Sequence, residues 1–269
     1  QNPLGMAAAR LEVNVHIVTG SVTSAQNIIK CCNQSGLDVE DIVLEPLSSS
    51  QAVLSPDEQE VGVVLVDIGG GTTDVTIYSE GSIVHTAVLA LGGNHLTHDI
   101  AIGLGAPLRE AEEIKHKFGV AMASMVEEDE MIDVPSVGGR NNRTMQKRVL
   151  SSIIEDRFRE IFELIAHEIE KTHFHTLMAS GVVITGGTCI MSGADRLASK
   201  VLNLPVRVGY PENISGLREM IYSPKYATSV GLVRYGITSN QGKLNFVGDD
   251  TNLFHKVSRR MKDWMQDFF

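Results

Sequence analysis

A chain of 269 residues offers room for roughly two domains, and 43% apolar with 21% charged residues gives an ordinary globular composition with a sizeable core. A net charge of −10 argues against a nucleic-acid binder, and no apolar run approaches the ~20 residues of a membrane-spanning helix. Adjacent Cys31 and Cys32 with a distant Cys189 suggest neither a disulfide framework nor a metal set, and they fit a reducing compartment.

No signal-peptide pattern opens the chain. Gln1 is not an initiator, and Asn2-Pro3-Leu4-Gly5-Met6 reads as loop from the middle of a protein, so a fragment lacking an amino-terminal part is expected. Residues 10–18 alternate apolar and polar and predict a half-buried strand, with His16 on the polar phase. Thr23 or Ser24 can cap a helix over about 25–35 that Gly36 ends. A strand over 42–44 leads to Glu45-Pro46 and a short helix to Leu54, followed by a linker over 55–60. The rhythm is α/β.

An apolar run from Val61 to Val66 predicts a buried strand that delivers Asp67 to a side-chain-poor turn, Gly69-Gly70-Gly71. Thr72 and Thr73 follow, then a second strand from Val75 to Tyr78. Without Cβ atoms, the backbone N–H groups of such a turn can approach a phosphate closely. A carboxylate at the strand end can hold magnesium through water or orient an attacking water. A plain hairpin with a glycine-rich loop is the competing reading, and the Asp before and Thr-Thr-Asp after the turn favour nucleotide binding.

Gly81 turns the chain into a strand over 83–91, and Gly92-Gly93-Asn94 starts a helix over about 96–104. A helix over 107–117 ends at Gly119 and carries Glu112 and Lys115 at i, i+3, which on spacing alone is a surface ion pair. Glu127–Glu130 reads as a solvated acidic turn and residues 138–143 as a loop. The longest helical pattern, about 145–178, carries Leu150, Ile154, Phe158, Ile161, Ile165 and Ile169 on one core-facing stripe. His167, His173 and His175 near its end do not make a metal set.

Residues 181–188 repeat the earlier logic, with a short apolar strand running into Gly186-Gly187-Thr188. A helix over 193–202, a strand over 206–208 and helices over 214–221 and 226–236 follow. In open α/β sheets, ligands sit at the carboxyl ends of strands, so two glycine turns at such ends can face one ligand. Residues 239–253 lack periodicity and read as a flexible linker. Val257, Met261, Trp264, Met265 and Phe268 then share one helix face, with Lys256, Arg259, Arg260 and Lys262 mostly off it. A basic amphipathic terminus, closing on Phe269, predicts reversible binding in a membrane interface. A terminal helix packed on the domain is the alternative.

With these pieces assembled, the chain resembles the FtsA family of actin-like bacterial cell-division proteins over nearly its whole length. Residues 67–74 match the second phosphate motif of the actin/Hsp70/sugar-kinase superfamily, 184–188 its adenosine motif, and 46–54 its first interdomain connection. Asn2–Met6, the Asp133–Arg140 loop and the basic terminus are the features closer to FtsA itself. The resemblance implies an α/β, actin-like (ribonuclease H-like) fold with its carboxy-terminal half nearly complete, plus a terminal amphipathic helix.

It further implies that Asp67 coordinates the Mg2+–ATP water shell and that Gly69, Gly70, Gly71, Thr72 and Thr73 grip phosphates. Gly186, Gly187 and Thr188 would border the adenosine, and Glu112 and Lys115 would reach it from a smaller subdomain. Val257, Arg259, Arg260, Met261, Lys262, Trp264, Met265, Phe268 and Phe269 would bind membrane. The superfamily's first phosphate motif, an Asp-x-Gly-Thr turn, does not occur in these residues, so weak ATP binding and at most a weak ATPase are expected.

The implied division is a remnant of the family's extra subdomain (1–14), then the end of a first actin-like subdomain with the connection (15–58). A second large subdomain (59–95 with 180–238) encloses a small one (96–179), before a linker (239–254) and a membrane-targeting helix (255–269). The implied function is a polymerising scaffold rather than an enzyme. It would tether FtsZ, through about residues 97–178, to the cytoplasmic face of the inner membrane at the septum, together with other division proteins and further copies of itself. A sugar kinase or an Hsp70-type ATPase of the same superfamily is the alternative. The first would have no use for the amphipathic terminus, and the second would carry a β-rich domain after the nucleotide domain.

Overall fold

The computed structural model describes residues 5, 7, 9–13, 15–136, 142–172, 179–216 and 218–241. The expected terminal helix over 255–269, most of the linker before it, most of the 138–143 loop, and His173 and His175 lie outside the described residues. In chain order the elements are α1 (Val22–Gln34), α2 (Glu45–Val53), α3 (Pro56–Val61), β1 (Val63–Ile68), β2 (Thr73–Ser79) and β3 (Ser82–Leu89). Next come α4 (Gly93–Leu104), α5 (Leu108–Phe118), β4 (Met131–Val134), β5 (Arg143–Gln146) and α6 (Lys147–Lys171). The last are β6 (Val182–Thr185), α7 (Ala194–Leu202), β7 (Val206–Val208), α8 (Arg218–Ile221) and α9 (Ala227–Gln241).

β1 is the centre of a five-stranded sheet in the order β3-β2-β1-β6-β7. It runs antiparallel to β2 and parallel to β6, so one strand belongs both to a hairpin and to a crossover. Burial of all six β1 residues explains the unbroken apolar run, because a central strand covered on both faces has no polar phase. The period of two still divides the side chains. Val64, Val66, Ile68, Val75, Ile77, Val182 and Ile184 enter one core with α4, α6 and α7. Val63, Leu65, Tyr78 and Val183 enter a second with Ala52 and Val53 of α2 and Ala227 of α9. Glu80 and Gly81, both at positive φ, form the two-residue turn that joins β2 to β3.

α6 buries the whole predicted stripe and adds Phe162, whose ring stacks on Phe158 at 5.6 Å. Each such fully buried side chain is worth about 1.5–3 kcal/mol in transfer free energy. β4 and β5 pair as a two-stranded ribbon that precedes α6 and flanks the loop expected over 138–143, just after the acidic turn expected at Glu127–Glu130. Glu130 binds Lys147 at 2.7 Å and Glu128 binds Arg148 at 2.9 Å, so half of the expected solvated turn is ion-paired to the start of α6.

Several sequence expectations are corrected. The described residues of 10–18 form no strand and are exposed, because alternation creates a sheet face but only ladder partners create a strand. His16 does lie on the surface, where its Nε2 is 3.1 Å from Thr86 Oγ1. Residues 42–44 form no strand for the same reason. The linker at 55–60 is instead α3, opened by a capping box in which Ser55 and Glu58 satisfy each other's backbone N–H groups. Proline at its first position suits a helix start, and the Ser-x-x-Glu spacing is the signal that reveals it. α1 begins earlier than expected, with Ser21 as its cap and a side-chain acceptor for Ser24 N. The helix expected over 214–221 contracts to α8 among the described residues.

Candidate functional site

Asp67 sits near the end of β1 with only 5% of its surface exposed. Its Oδ2 accepts the Ser49 hydroxyl at 2.6 Å, and Thr228 Oγ1 lies 3.5 Å away. Those partners come from α2 and α9, which cross closely because Gly231 has no Cβ. A Cβ there would overlap the Ser48 carbonyl, and the Ser48 hydroxyl also donates to Thr228 O at 2.7 Å. Behind the carboxylate stands Gly186 at φ +93°, where a Cβ would lie 2.5 Å from both Asp67 Oδ1 and Ile68 O. Gly186 is therefore part of the seat of Asp67 as well as part of its own turn.

Burial raises the Asp67 pKa, against the hydrogen bonds of Ser49 and Thr228. Asp74 is its cross-strand partner. Burial, then the charges of Glu45 and Asp67, push the Asp74 carboxyl up to about 6, although Thr72 hydrogen-bonds to it. Glu45, at the start of α2, is raised in turn by partial burial and by Asp67. Three mutually repelling carboxylates thus share one region, an arrangement that a cation would relieve. Of the three, sequence patterning singles out only Asp67. The hairpin register around a four-residue turn could have revealed Asp74, and Glu45-Pro46 at a helix start could have pointed to Glu45. Among the described residues no group of three His, Cys, Asp or Glu side chains forms a metal cage.

The phosphate-type turn is closed by Gly69 N donating to Thr72 O at 2.9 Å. Two further turns pack onto it. Gly93 N donates to Gly69 O at 2.9 Å, Asn94 N to Gly70 O at 2.7 Å, and the Thr188 hydroxyl to Gly69 O at 2.9 Å. The fit depends on missing side chains, since a Cβ on Gly92 would stand 2.7 Å from Gly69 O and one on Gly93 2.6 Å from Thr188 Oγ1. Sequence spacing marks Gly92-Gly93 only as a helix start, and the fold makes it a third wall of the site. The N–H groups of Gly70 and Gly71 have no protein acceptor among the described residues, and both residues are exposed. Two free, unshielded N–H donors beside three carboxylates suit an anionic group accompanied by a cation.

Lys115 is buried, which corrects the surface ion pair read from spacing alone. Its ammonium donates to Gly93 O at 3.0 Å and Thr97 Oγ1 at 2.8 Å, and pairs with Glu112 Oε2 at 2.7 Å. Glu112 also accepts the Thr97 hydroxyl and lies 2.9 Å from His116 Nε2. Burial works to raise the Glu112 carboxyl, but the bonds from Lys115 and Thr97 and the Lys115 charge hold it below its usual value. Through Gly93, this cluster is joined to Thr188 and the first turn. Of the remaining expected residues, Thr72 and Gly187 are exposed, while Thr73 is buried with its hydroxyl donating to Leu91 O at 2.8 Å. Cys189, directly after Thr188, is buried, and burial and then the Asp67 charge push its thiol well up.

The chain as a whole is similar to known proteins. A family model described as cell division protein FtsA matches residues 64–231. A cell division protein FtsA from Pseudomonas aeruginosa is 42% identical over all of this chain, and one from Escherichia coli is 38% identical over all of it. The chain spans 66% of the length of each. Among solved structures, MreB5 of Spiroplasma citri bound to ADP superposes with a TM-score of 0.68 at 18% identity, covering 84% of this chain and 69% of that one. A PilM–PilN type IV pilus biogenesis complex gives 0.61 at 17% identity, covering 79% and 57%. The fold is actin-like.

Proposed function

This chain belongs to the FtsA family of cell-division proteins, and on that premise we propose that it serves as a nucleotide-gated, membrane-tethered scaffold of the division site. The observation that carries the nucleotide part is the convergence of Gly69–Gly71, Gly92-Gly93 and Gly186–Thr188 beside Asp67, with the Gly70 and Gly71 N–H groups without an acceptor among the described residues. ATP is the expected ligand. Gly70 and Gly71 would donate to its phosphates, and Asp67, with Asp74 and Glu45 near it, would hold the hydration shell of Mg2+. The cation would supply charge neutralisation of the phosphates. Ser49 and Thr228 keep Asp67 oriented, and the Glu112–Lys115–Thr97 cluster ties the α4–α5 segment to the Thr188 side of the cleft.

In this reading the protein is a scaffold rather than a dedicated enzyme, with hydrolysis weak at most. Bound nucleotide bridges segments that meet at the three turns, so its presence favours one arrangement of the two sides and thereby self-assembly into actin-like filaments. The α4–α6 region with its β4–β5 ribbon is the proposed docking surface for FtsZ. Residues 255–269 would place the assembly, as a peripheral protein, on the cytoplasmic face of the inner membrane at the septum. No helix among the described residues is long and apolar enough to cross a membrane.

Two experiments test the two halves. ATP affinity is measured in a chain extended to the full length of its relatives, with and without Asp67→Ala. The variant is expected to lose Mg2+-dependent binding, and unchanged binding and turnover would show that Asp67 does not hold the cation. Vesicle co-sedimentation is compared with and without residues 255–269, and equal pelleting of both would end the tether reading.

A further inference from the structure

Gly92 caps α4 but has no side chain to cap with, and a Cβ there would stand 2.7 Å from Gly69 O. Only the return half of a capping box can close this turn. It comes from His95, at the position where glutamate or glutamine usually stands. The His95 Nδ1 accepts the Gly92 N–H at 3.2 Å, while His95 N donates to Gly92 O at 2.9 Å. A backbone N–H can only donate, so Nδ1 carries no proton in this arrangement and the ring proton sits on Nε2. The two N–H groups between them are spent on the phosphate-type turn, Gly93 N on Gly69 O and Asn94 N on Gly70 O. His95 thus fixes the residue from which that grip begins.

We propose that neutral His95 is a positioning residue for nucleotide: by holding Gly92 it keeps the Gly92-Gly93 wall against the Gly69–Gly71 turn, and its protonation loosens the two. This inference rests on the nucleotide reading of the site. Imidazole is the side chain whose charge ordinarily changes between about pH 5 and 8, and an imidazolium donates from both nitrogens. A proton on Nδ1 therefore sets donor against donor and leaves the Gly92 N–H without its acceptor. The disturbance reaches the site directly, because Gly93 O is held by the buried Lys115 ammonium at 3.0 Å and Gly93 lies against the Thr188 hydroxyl. His85 and His116 each lie within ion-pair distance of a glutamate, whereas His95 has no such neighbour among the described residues. Of the charged groups on elements packed against α4, Asp99 on α4 itself is bound by Arg157 of α6 at 2.5 Å. Glu112 of α5 is bound by Lys115 and lies 2.9 Å from His116. His98, the other histidine of α4, is exposed.

The test measures Mg2+–ATP affinity at pH 8 and pH 5 in a chain extended to the full length of its relatives, beside His95→Gln, His95→Ala and His98→Gln. Asp67, Asp74, Glu45 and ATP titrate as well, so the readout is the difference between chains at each pH. His95→Gln keeps an acceptor for Gly92 and carries no titratable group. It should match the unaltered chain at pH 8 and bind about fivefold more tightly at pH 5, the worth of one hydrogen bond. His95→Ala should bind about fivefold more weakly than the unaltered chain at pH 8 and equally at pH 5, while His98→Gln follows the unaltered chain at both. Equal affinity of His95→Gln and the unaltered chain at pH 5 would overturn the proposal, and so would His95→Ala matching the unaltered chain at pH 8. Amide hydrogen exchange at Gly92, corrected for its intrinsic pH dependence, reads the cap without nucleotide. Protection should fall from pH 8 to pH 5 in the unaltered chain and hold in His95→Gln. Failure of the nucleotide reading looks different: no chain then binds Mg2+–ATP at either pH, while Gly92 exchange still separates the unaltered chain from His95→Gln.

Discussion

Asp67 and Asp74 stand directly opposite each other on β1 and β2, so their side chains share one face of the sheet at the mouth of the Gly69–Gly71 turn. Neither has a cationic partner among the described residues, and the Asp74 carboxyl is raised from 3.8 to about 6. The folded state therefore binds this proton more tightly than the unfolded chain. The stability that proton confers is fully present below pH 3.8 and is lost as pH rises through about 6.

Asp74→Asn should accordingly remove a pH-dependent penalty. Denaturant unfolding at pH 8 without nucleotide is expected to show the variant more stable by up to about 3 kcal/mol, with the difference shrinking toward pH 4. A constant difference across that range would contradict the burial and charge account of Asp74.

Gly186 and Gly71 should respond oppositely to the same change. Gly186→Ala places a Cβ 2.5 Å from Asp67 Oδ1 at a φ of +93°, and should cost more than about 2 kcal/mol. Gly71→Ala meets nothing within 4 Å, so stability should move by less than about 1 kcal/mol while nucleotide binding weakens. Equilibrium unfolding alongside a nucleotide titration separates the two.

Lys115→Met should cost about 2 kcal/mol, because a buried, hydrogen-bonded ammonium is lost and Gly93 O and the part-exposed Glu112 carboxylate are left to share the single proton of the Thr97 hydroxyl. Glu112→Gln should cost under about 1 kcal/mol, since that side chain is 39% exposed and keeps an acceptor. In a double-mutant cycle the combined loss should be smaller than the sum of the two, and strict additivity would argue against a shared network.

Gly231→Ala tests whether the α2–α9 crossing positions Asp67. The added methyl would overlap Ser48 O, which is backbone and cannot swing aside, so a loss of more than about 2 kcal/mol is expected. Because Ser49 and Thr228 belong to that crossing, Asp67-dependent nucleotide binding should weaken too.

Sequence alone determined the elements whose cause is local or periodic. The apolar run through Val63–Val66 had to be a buried strand, although Val61, which the run includes, closes α3 instead. The stripe from Leu150 to Ile169 had to face a core, and the glycine clusters had to be turns, because burial on one or both faces leaves its period in the residue order. Motifs around Asp67 and Gly186 marked the superfamily, and Asn2–Met6, the Asp133–Arg140 loop and the basic terminus marked the family. What only tertiary structure decided was adjacency. Glu45, Asp74 and the Gly92-Gly93 wall join the site through register and helix crossing, and no single-segment pattern records those. Residues 10–18 carry a strand's alternation, yet the described ones form no strand, since a ladder needs a neighbour that alternation cannot provide. Lys115 reads as a surface charge because spacing fixes only its partner on the same helix, whereas Gly93 and Thr97, which bury it, come from another.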